Sequence, residues 1–169
     1  ILGPNGEKLP CPGELYYRGV NVKNLVKGFL KSGHPGFEET IYLLLFSKQP
    51  NRDELNEFIE QLSAYRSLPP SFVRDMILKA PGKDMMNMIS RSVLALYAYD
   101  ENPVDVTIPN VLRQCMQLIA QFPLLSIYGY HSFQHYHNNH NLFIHFPKPE
   151  YTTAENLLYI LREDGKFSP

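Results

Sequence analysis

The sequence predicts a mostly α, multi-helical protein with a small β-hairpin near its N-terminus. Three observations carry that prediction. Apolar residues recur at helical spacing through most of the chain after residue 24. Two of these stretches open on helix-start signatures, N-x-x-E at Asn51–Glu54 and T-x-x-E at Thr152–Glu155. Near the front, Glu14–Val22 (ELYYRGVNV) has the Tyr and Val content of a strand, and Gly19 interrupts it.

The elements follow in order. Residues 1–13 hold three prolines and three glycines and read as a loop or extended arm. The hairpin at Glu14–Val22 leads into a helix at Asn24–Leu30, and Ser32–Gly36 (SGHPG) breaks the chain. FEETIYLLLF, Phe37–Phe46, sets seven large apolar residues in ten positions behind Glu38 and Glu39, which suit the positive end of a helix dipole. Phe37, Ile41, Leu44 and Leu45 share one face, and Tyr42, Leu43 and Phe46 cover most of the rest. A helix apolar nearly all round is expected to be buried. The Asn51 signature then opens a helix to about Arg66, with Leu55, Phe58, Ile59, Leu62 and Tyr65 in period.

Pro69 and Pro70 precede the periodic residues Phe72, Val73, Met76 and Ile77, which predict a short helix with prolines in its first turn and Pro81 as its stop. Asp84–Tyr99 predicts a Met- and Leu-rich helix, and Asp100–Thr107 a turn. Another helix starts near Thr107, with Pro109 in its first turn. Pro123 removes a donor in mid-run, but the apolar period resumes in LLSIYGYHSF, so a kink is expected rather than an end. HYHNNHNLFIHFPKPE reads as a polar loop or short hairpin before a last helix through Leu161. About six or seven helices are expected.

Bulk properties narrow the function. A chain of 169 residues fits one domain. Sixteen basic residues against seventeen acidic, with no basic block, give no nucleic-acid footprint. No apolar run approaches the ~20 residues of a membrane span. Cys11 and Cys115 form no metal-spaced pair and read as reduced thiols of a cytoplasmic protein, Cys115 as a core residue; a disulfide between them is the rival. The chain opens without Met and closes just after a helix, so it is expected to be a piece of a longer protein.

The histidines are the main candidate for chemistry. His131, His135, His137, His140 and His145 fall within fifteen residues, and the i, i+4 pair His131/His135 would share a helix face able to clamp Zn²⁺. The absence of a nearby acidic or Cys ligand, and the Asn and aromatic neighbours, favour a solvated turn instead. No G-x-S-x-G accompanies a base, and neither phosphate-binding glycine motif is present. The carboxylate pairs Glu38/Glu39 and Asp100/Glu101 are explained by a helix start and a turn. Met85, Met86 and Met88 fit core packing better than a soft binding surface.

Read in order, several stretches resemble the N-terminal part of citrate synthases: LYYRGVNVKNLV (Leu15–Val26), FEETIYLLLFSKQPNRDEL (Phe37–Leu55), LPPSFV, SVLALYAYD, LRQCMQLIAQFPLLSIYGY and PEYTTAENLLYIL. Their order and spacing, from about Cys11 to Leu161, carry the resemblance more than any single piece. It implies a citrate synthase-like large-domain fragment, residues 14–169, behind the arm of residues 1–13. It also implies a parent acyltransferase that condenses acetyl-CoA with oxaloacetate, acetyl-CoA being a substrate, with no cofactor and no metal. In that chemistry a carboxylate removes a methyl proton, histidines stabilise the enolate and polarise the ketone, and arginines hold the substrate carboxylates.

The family's His-rich, Gly-His-Gly-Gly-type and Gly-His-x-x-Tyr motifs are absent and would follow Pro169, so no residue here is assigned a catalytic role and the piece alone is expected to be inactive. The resemblance further implies a cytoplasmic homodimer through paired antiparallel helices, Asp84–Tyr99 and Pro109–Tyr128. Its expected contacts are Ser92, Ala95 and Leu96 on the first and Gln117, Ala120 and Leu124 on the second; the alternative for each is core packing within the chain. Tyr97 departs from the small residue usual there. A 2-methylcitrate synthase using propionyl-CoA is the close variant, and a standalone helical interaction module is the reading from another class.

Overall fold

The computed structural model describes residues 2–167. The chain divides into two compact units near Leu55. In the first, Leu2 and Lys8 close a tight turn around Gly6. Strands β1 (Tyr16–Tyr17) and β2 (Val20–Asn21) pair antiparallel, Tyr16 opposite Asn21 and Tyr17 opposite Val20. Both turn residues, Arg18 and Gly19, have positive φ, the conformation that a two-residue hairpin turn with matching twist requires. Arg18 holds it in place, its Nε donating to the Leu44 carbonyl at 3.0 Å.

Asn21 caps α1 (Val22–Ser32) by accepting from the Lys23 N–H, and Gly33 closes it in the left-handed conformation. Helix α2 (Phe37–Phe46) begins at Gly36, where His34 pairs with Glu39 at 3.0 Å. The expectation of an all-round buried α2 needs correction. Glu38, Ile41, Tyr42 and Leu43 are buried, but Phe37, Leu44 and Phe46 are exposed. Phe37 and Leu44 lie two turns apart on one face, and that face stays open to solvent.

A β-carbon at Gly36 would fall inside the Phe29 ring. Gly36→Ala is therefore expected to cost about 1–3 kcal/mol through forced displacement of that ring, read as a lowered urea midpoint. An unchanged midpoint would mean that Phe29 swings away freely.

Helix α3 (Arg52–Ala64) carries the reciprocal cap expected from sequence: Asn51 Oδ1 accepts from the Glu54 N–H at 2.9 Å, and Glu54 Oε2 accepts from the Asn51 N–H at 3.0 Å. The next segment differs from expectation. Val73–Leu78 is a π-helical turn, shown by the Lys79 N–H reaching the Arg74 carbonyl five residues back. Ser71, at φ 64°, breaks the chain before Phe72, so Pro69 and Pro70 lie outside this element rather than in its first turn.

Asp84 caps α4 (Met85–Leu96), which tightens into a 3₁₀ turn at Tyr97–Tyr99. Helix α5 (Ile108–Asn138) then runs unbroken for 31 residues through Pro123 and ends at Asn139 in the left-handed conformation. Thr152 and Glu155 form the predicted capping box of α6 (Thr153–Leu161).

In the second unit, α4, α6 and the π-helical turn all pack on α5. Their shared core is Phe72, Ile77, Met88, Leu124, Leu125, Ile127, Tyr128 and Ile160. Each large side chain buried there contributes about 1.5–3 kcal/mol of apolar transfer. Gly129 lets the Met88 methyl come close to the α5 backbone. Of the three methionines at the start of α4, Met88 is core and Met86 is exposed. Among the described residues no helix is long and apolar enough to cross a membrane.

Candidate functional site

The residues singled out by sequence fall in two places, the α4–α5 pair and the C-terminal half of α5. At the first, the turn between the helices is pinned by a polar network. Arg113 Nη2 lies 2.6 Å from Asp100 Oδ1, and Gln114 donates to Asp100 Oδ2 at 3.0 Å. Arg113 Nη1 donates to Gln117 Oε1 at 2.6 Å, and Asn110 donates to the carbonyls of Asn102 and Asp105. Burial pushes the Asp100 carboxyl up, but bonds from the Asn102 N–H, Gln114 and Arg113 outweigh it and leave the group below the usual range. A cavity of about 280 Å³ opens beside this network, lined by Leu96, Tyr97, Tyr99, Gln117, Leu118 and Gln121 among others.

The six expected contact residues separate into two groups. Ser92 and Leu124, each 1% exposed, and Ala120 are buried against the chain's own elements. Ala95 and Leu96 are half-buried against the same core, and Gln117 is half-buried and bonded to Arg113. The surface that α4 and α5 leave open is carried by other residues: Leu94 at 76% exposure, Tyr97, Leu118 and Phe122. The small residues Ser92 and Ala120 are buried within the chain. Leu118 and Phe122, four residues apart, were the sequence signal for a shared outward face.

The histidines divide between a helix and the loop after it. Helix α5 carries His131, His135 and His137 before it ends at Asn139, and His131 is packed into the core at 4% exposure, while the exposed His140 and the half-buried His145 lie in the irregular segment that follows. Its Nε2 lies 3.1 Å from the Ile160 carbonyl, which can only accept, so that nitrogen carries the proton. His135 Nδ1 lies 2.9 Å from the His140 carbonyl, and His145 Nε2 3.1 Å from that of Glu163. One ring nitrogen of each is thus committed to backbone. Among the described residues no three His, Cys, Asp or Glu side chains converge as a metal site would require.

Beside His131 lies a cavity of about 450 Å³, also lined by Gln134, His140, Phe143 and Glu163. Tyr128 donates to the His145 carbonyl at 2.8 Å, and burial, with Tyr159 adding to it, pushes its phenol up to about 12. Cys11 is exposed and Cys115 half-buried rather than core, both as thiols.

Neither place assembles a nucleophile with its base, and the comparisons with known proteins decide the family. A family model described as citrate synthase, C-terminal domain, matches residues 4–169. The chain belongs to the citrate synthase family. Among its relatives, the citrate synthase of Saccharolobus solfataricus is 32% identical over 98 residues, covering 58% of this chain and 23% of that protein. The 2-methylcitrate synthase 2 of Corynebacterium glutamicum is 26% identical over 162 residues, 95% of this chain and 39% of that protein.

The crystal structure of citrate synthase from Pyrobaculum aerophilum superposes with a TM-score of 0.72 at 25% identity, over 88% of this chain and 36% of that one. The enzyme from Thermoplasma acidophilum, solved as a ternary complex with carboxymethyl coenzyme A and oxaloacetate, shares the fold at a TM-score of 0.71 and 21% identity. The chain thus spans well under half of each citrate synthase or 2-methylcitrate synthase named here.

Proposed function

We propose that this chain is the N-terminal helical part of a cytoplasmic citrate synthase, an acyltransferase of the tricarboxylic acid cycle that condenses acetyl-CoA with oxaloacetate to give citrate and CoA. The observation that carries the reading is the family match across residues 4–169. The 169 residues supply scaffold, with the carboxylate, histidines and arginines of the chemistry contributed by sequence beyond Pro169. The piece by itself is then inactive.

Two copies pair through α4 and α5, as the resemblance implies, and the exposed residues Leu94, Leu118 and Phe122 suit that role. They join Ala95, Leu96 and Gln117 at the edge of the pair, while Ser92, Ala120 and Leu124 support the helices from within. The second reading, a 2-methylcitrate synthase acting on propionyl-CoA, is favoured by the Corynebacterium glutamicum relatives.

The test is thiol release from acetyl-CoA or propionyl-CoA with oxaloacetate, measured on these 169 residues and on the complete gene product. Release by the complete product alone, faster with acetyl-CoA, is the expected result. Faster release with propionyl-CoA would select the second reading. A folded complete product silent with both would overturn the proposal, and activity of the 169 residues alone would overturn the scaffold role.

A further inference from the structure

His131 joins three elements that are separate in sequence. It lies on α5; its Nε2 proton is directed at Ile160, in the last turn of α6; and its ring packs at a tilt on Phe143, with centroids 4.3 Å apart. The Ile160 carbonyl is one of the terminal acceptors that a helix cannot satisfy internally. The Arg162 N–H is already directed to Leu158, so the cap for Ile160 comes from the imidazole. His145 makes a parallel bond to Glu163 just beyond the helix. The exit of α6 is thus held by two histidines from other parts of the chain.

The His131 ring is 4% exposed and sits between Phe143 and Tyr130, so a second proton, on Nδ1, would place a cation among aromatic rings. The groups around it do not neutralise such a cation. From the segment after α5 come His140, which lines the same cavity, and His145, whose ring is tilted against Phe143 at 5.4 Å. From α6 and its exit come Tyr159, packed on His145, and the exposed Glu163, the one carboxylate lining the cavity among the described residues. On α5 itself, Tyr130 is adjacent and His135 lies one turn on.

We propose that His131 is an acid-sensitive latch: neutral, it caps Ile160 and holds the exit of α6 on α5, and its protonation releases that exit.

Burial holds the imidazole below the ordinary histidine value of 6.5; the Ile160 carbonyl pulls the other way, and His145 adds to the lowering. The folded chain therefore binds this proton less readily than the unfolded chain. The latch stabilises fully above pH 6.5, and its contribution is lost as pH falls through the folded value.

The experiment compares the wild-type chain with His131→Gln, whose amide keeps a donor for Ile160 but cannot titrate, and with His145→Gln as the contrast. Amide exchange of Leu161 and Arg162, corrected for intrinsic rates, is followed between pH 7.5 and 5. In the wild type, protection is expected to fall about tenfold over that range. It should stay flat in His131→Gln and still fall in His145→Gln. Equal loss in His131→Gln would overturn the latch. If that variant does not fold, the imidazole Cε1 proton of His131 in the wild type decides. Titration below pH 6.5 in step with lost α6 protection supports the latch, and titration at or above 6.5, or intact protection throughout, overturns it.

Discussion

Phe72→Ala is expected to lower the stability of the chain by about 3–5 kcal/mol. In a protein of this size that is a drop in melting temperature on the order of 10 °C. Phe72 is 0% exposed and heads the core of the second unit, with its ring edge-on to Tyr99 at 5.6 Å. The cavity left by alanine would be slow to close. On one side the backbone is held by the Phe72 N–H to Pro69 bond and the left-handed Ser71, and on the other by the wide π-helical turn. Neither can slide inward without losing its own hydrogen bonds. Phe72→Leu, which keeps most of the volume, should lose less than half as much. Calorimetry of both variants checks this, and a Phe72→Ala loss under 1 kcal/mol would show that the site collapses after all.

Asn156→Ala is expected to cost about 2–3 kcal/mol, from stranding polar groups rather than from lost packing. The Asn156 side chain is 2% exposed and makes three bonds to the backbone of the segment before α6. Oδ1 accepts from the Lys148 N–H at 2.7 Å, while Nδ2 donates to the carbonyls of Lys148 and Tyr151 at 2.9 and 3.0 Å. Arg66 supports the same segment, its Nη1 donating to the Tyr151 carbonyl at 2.7 Å. Asn156→Asp separates the explanations, because it keeps the shape but points a carboxylate at two carbonyls. It should destabilise at least as much as alanine in urea unfolding at pH 7. An Asp variant as stable as the wild type would show that shape, and not the donor, is what matters.

Much of this fold was legible because its signals are local. Both capping boxes, at Asn51 and Thr152, rest on residues three apart, and each formed as read. The hairpin was marked by Arg-Gly between Tyr-rich and Val-rich pairs, and the continuation of α5 past Pro123 by the apolar period that resumes after it. What escaped depends on distant contacts or on ring size. A π-helical turn differs from an α-helical one by a single residue per hydrogen-bonded ring, and six residues are too few for periodicity to separate the two.

Polar residues such as His135 and Asn138 look like loop, yet α5 carries them because His131 and Ser132 beside them are anchored in the core. In the same way, the small residues Ser92 and Ala120 announce a close approach without saying whether the neighbour belongs to the same chain. The apolar exterior of α2 belongs here too: the sequence specifies apolar residues there without saying that Phe37, Leu44 and Phe46 stay exposed.

The arrangement around α5 also bears on how the chain reaches this state. Two of its packing partners, α4 and α6, are its neighbours along the sequence as well as in space, and the π-helical turn lies one helix further back. Docking of α4 or of α6 on α5 therefore closes a short loop, at small entropic cost. The second unit can assemble as it leaves the ribosome, α4 docking on α5 before α6 has been made.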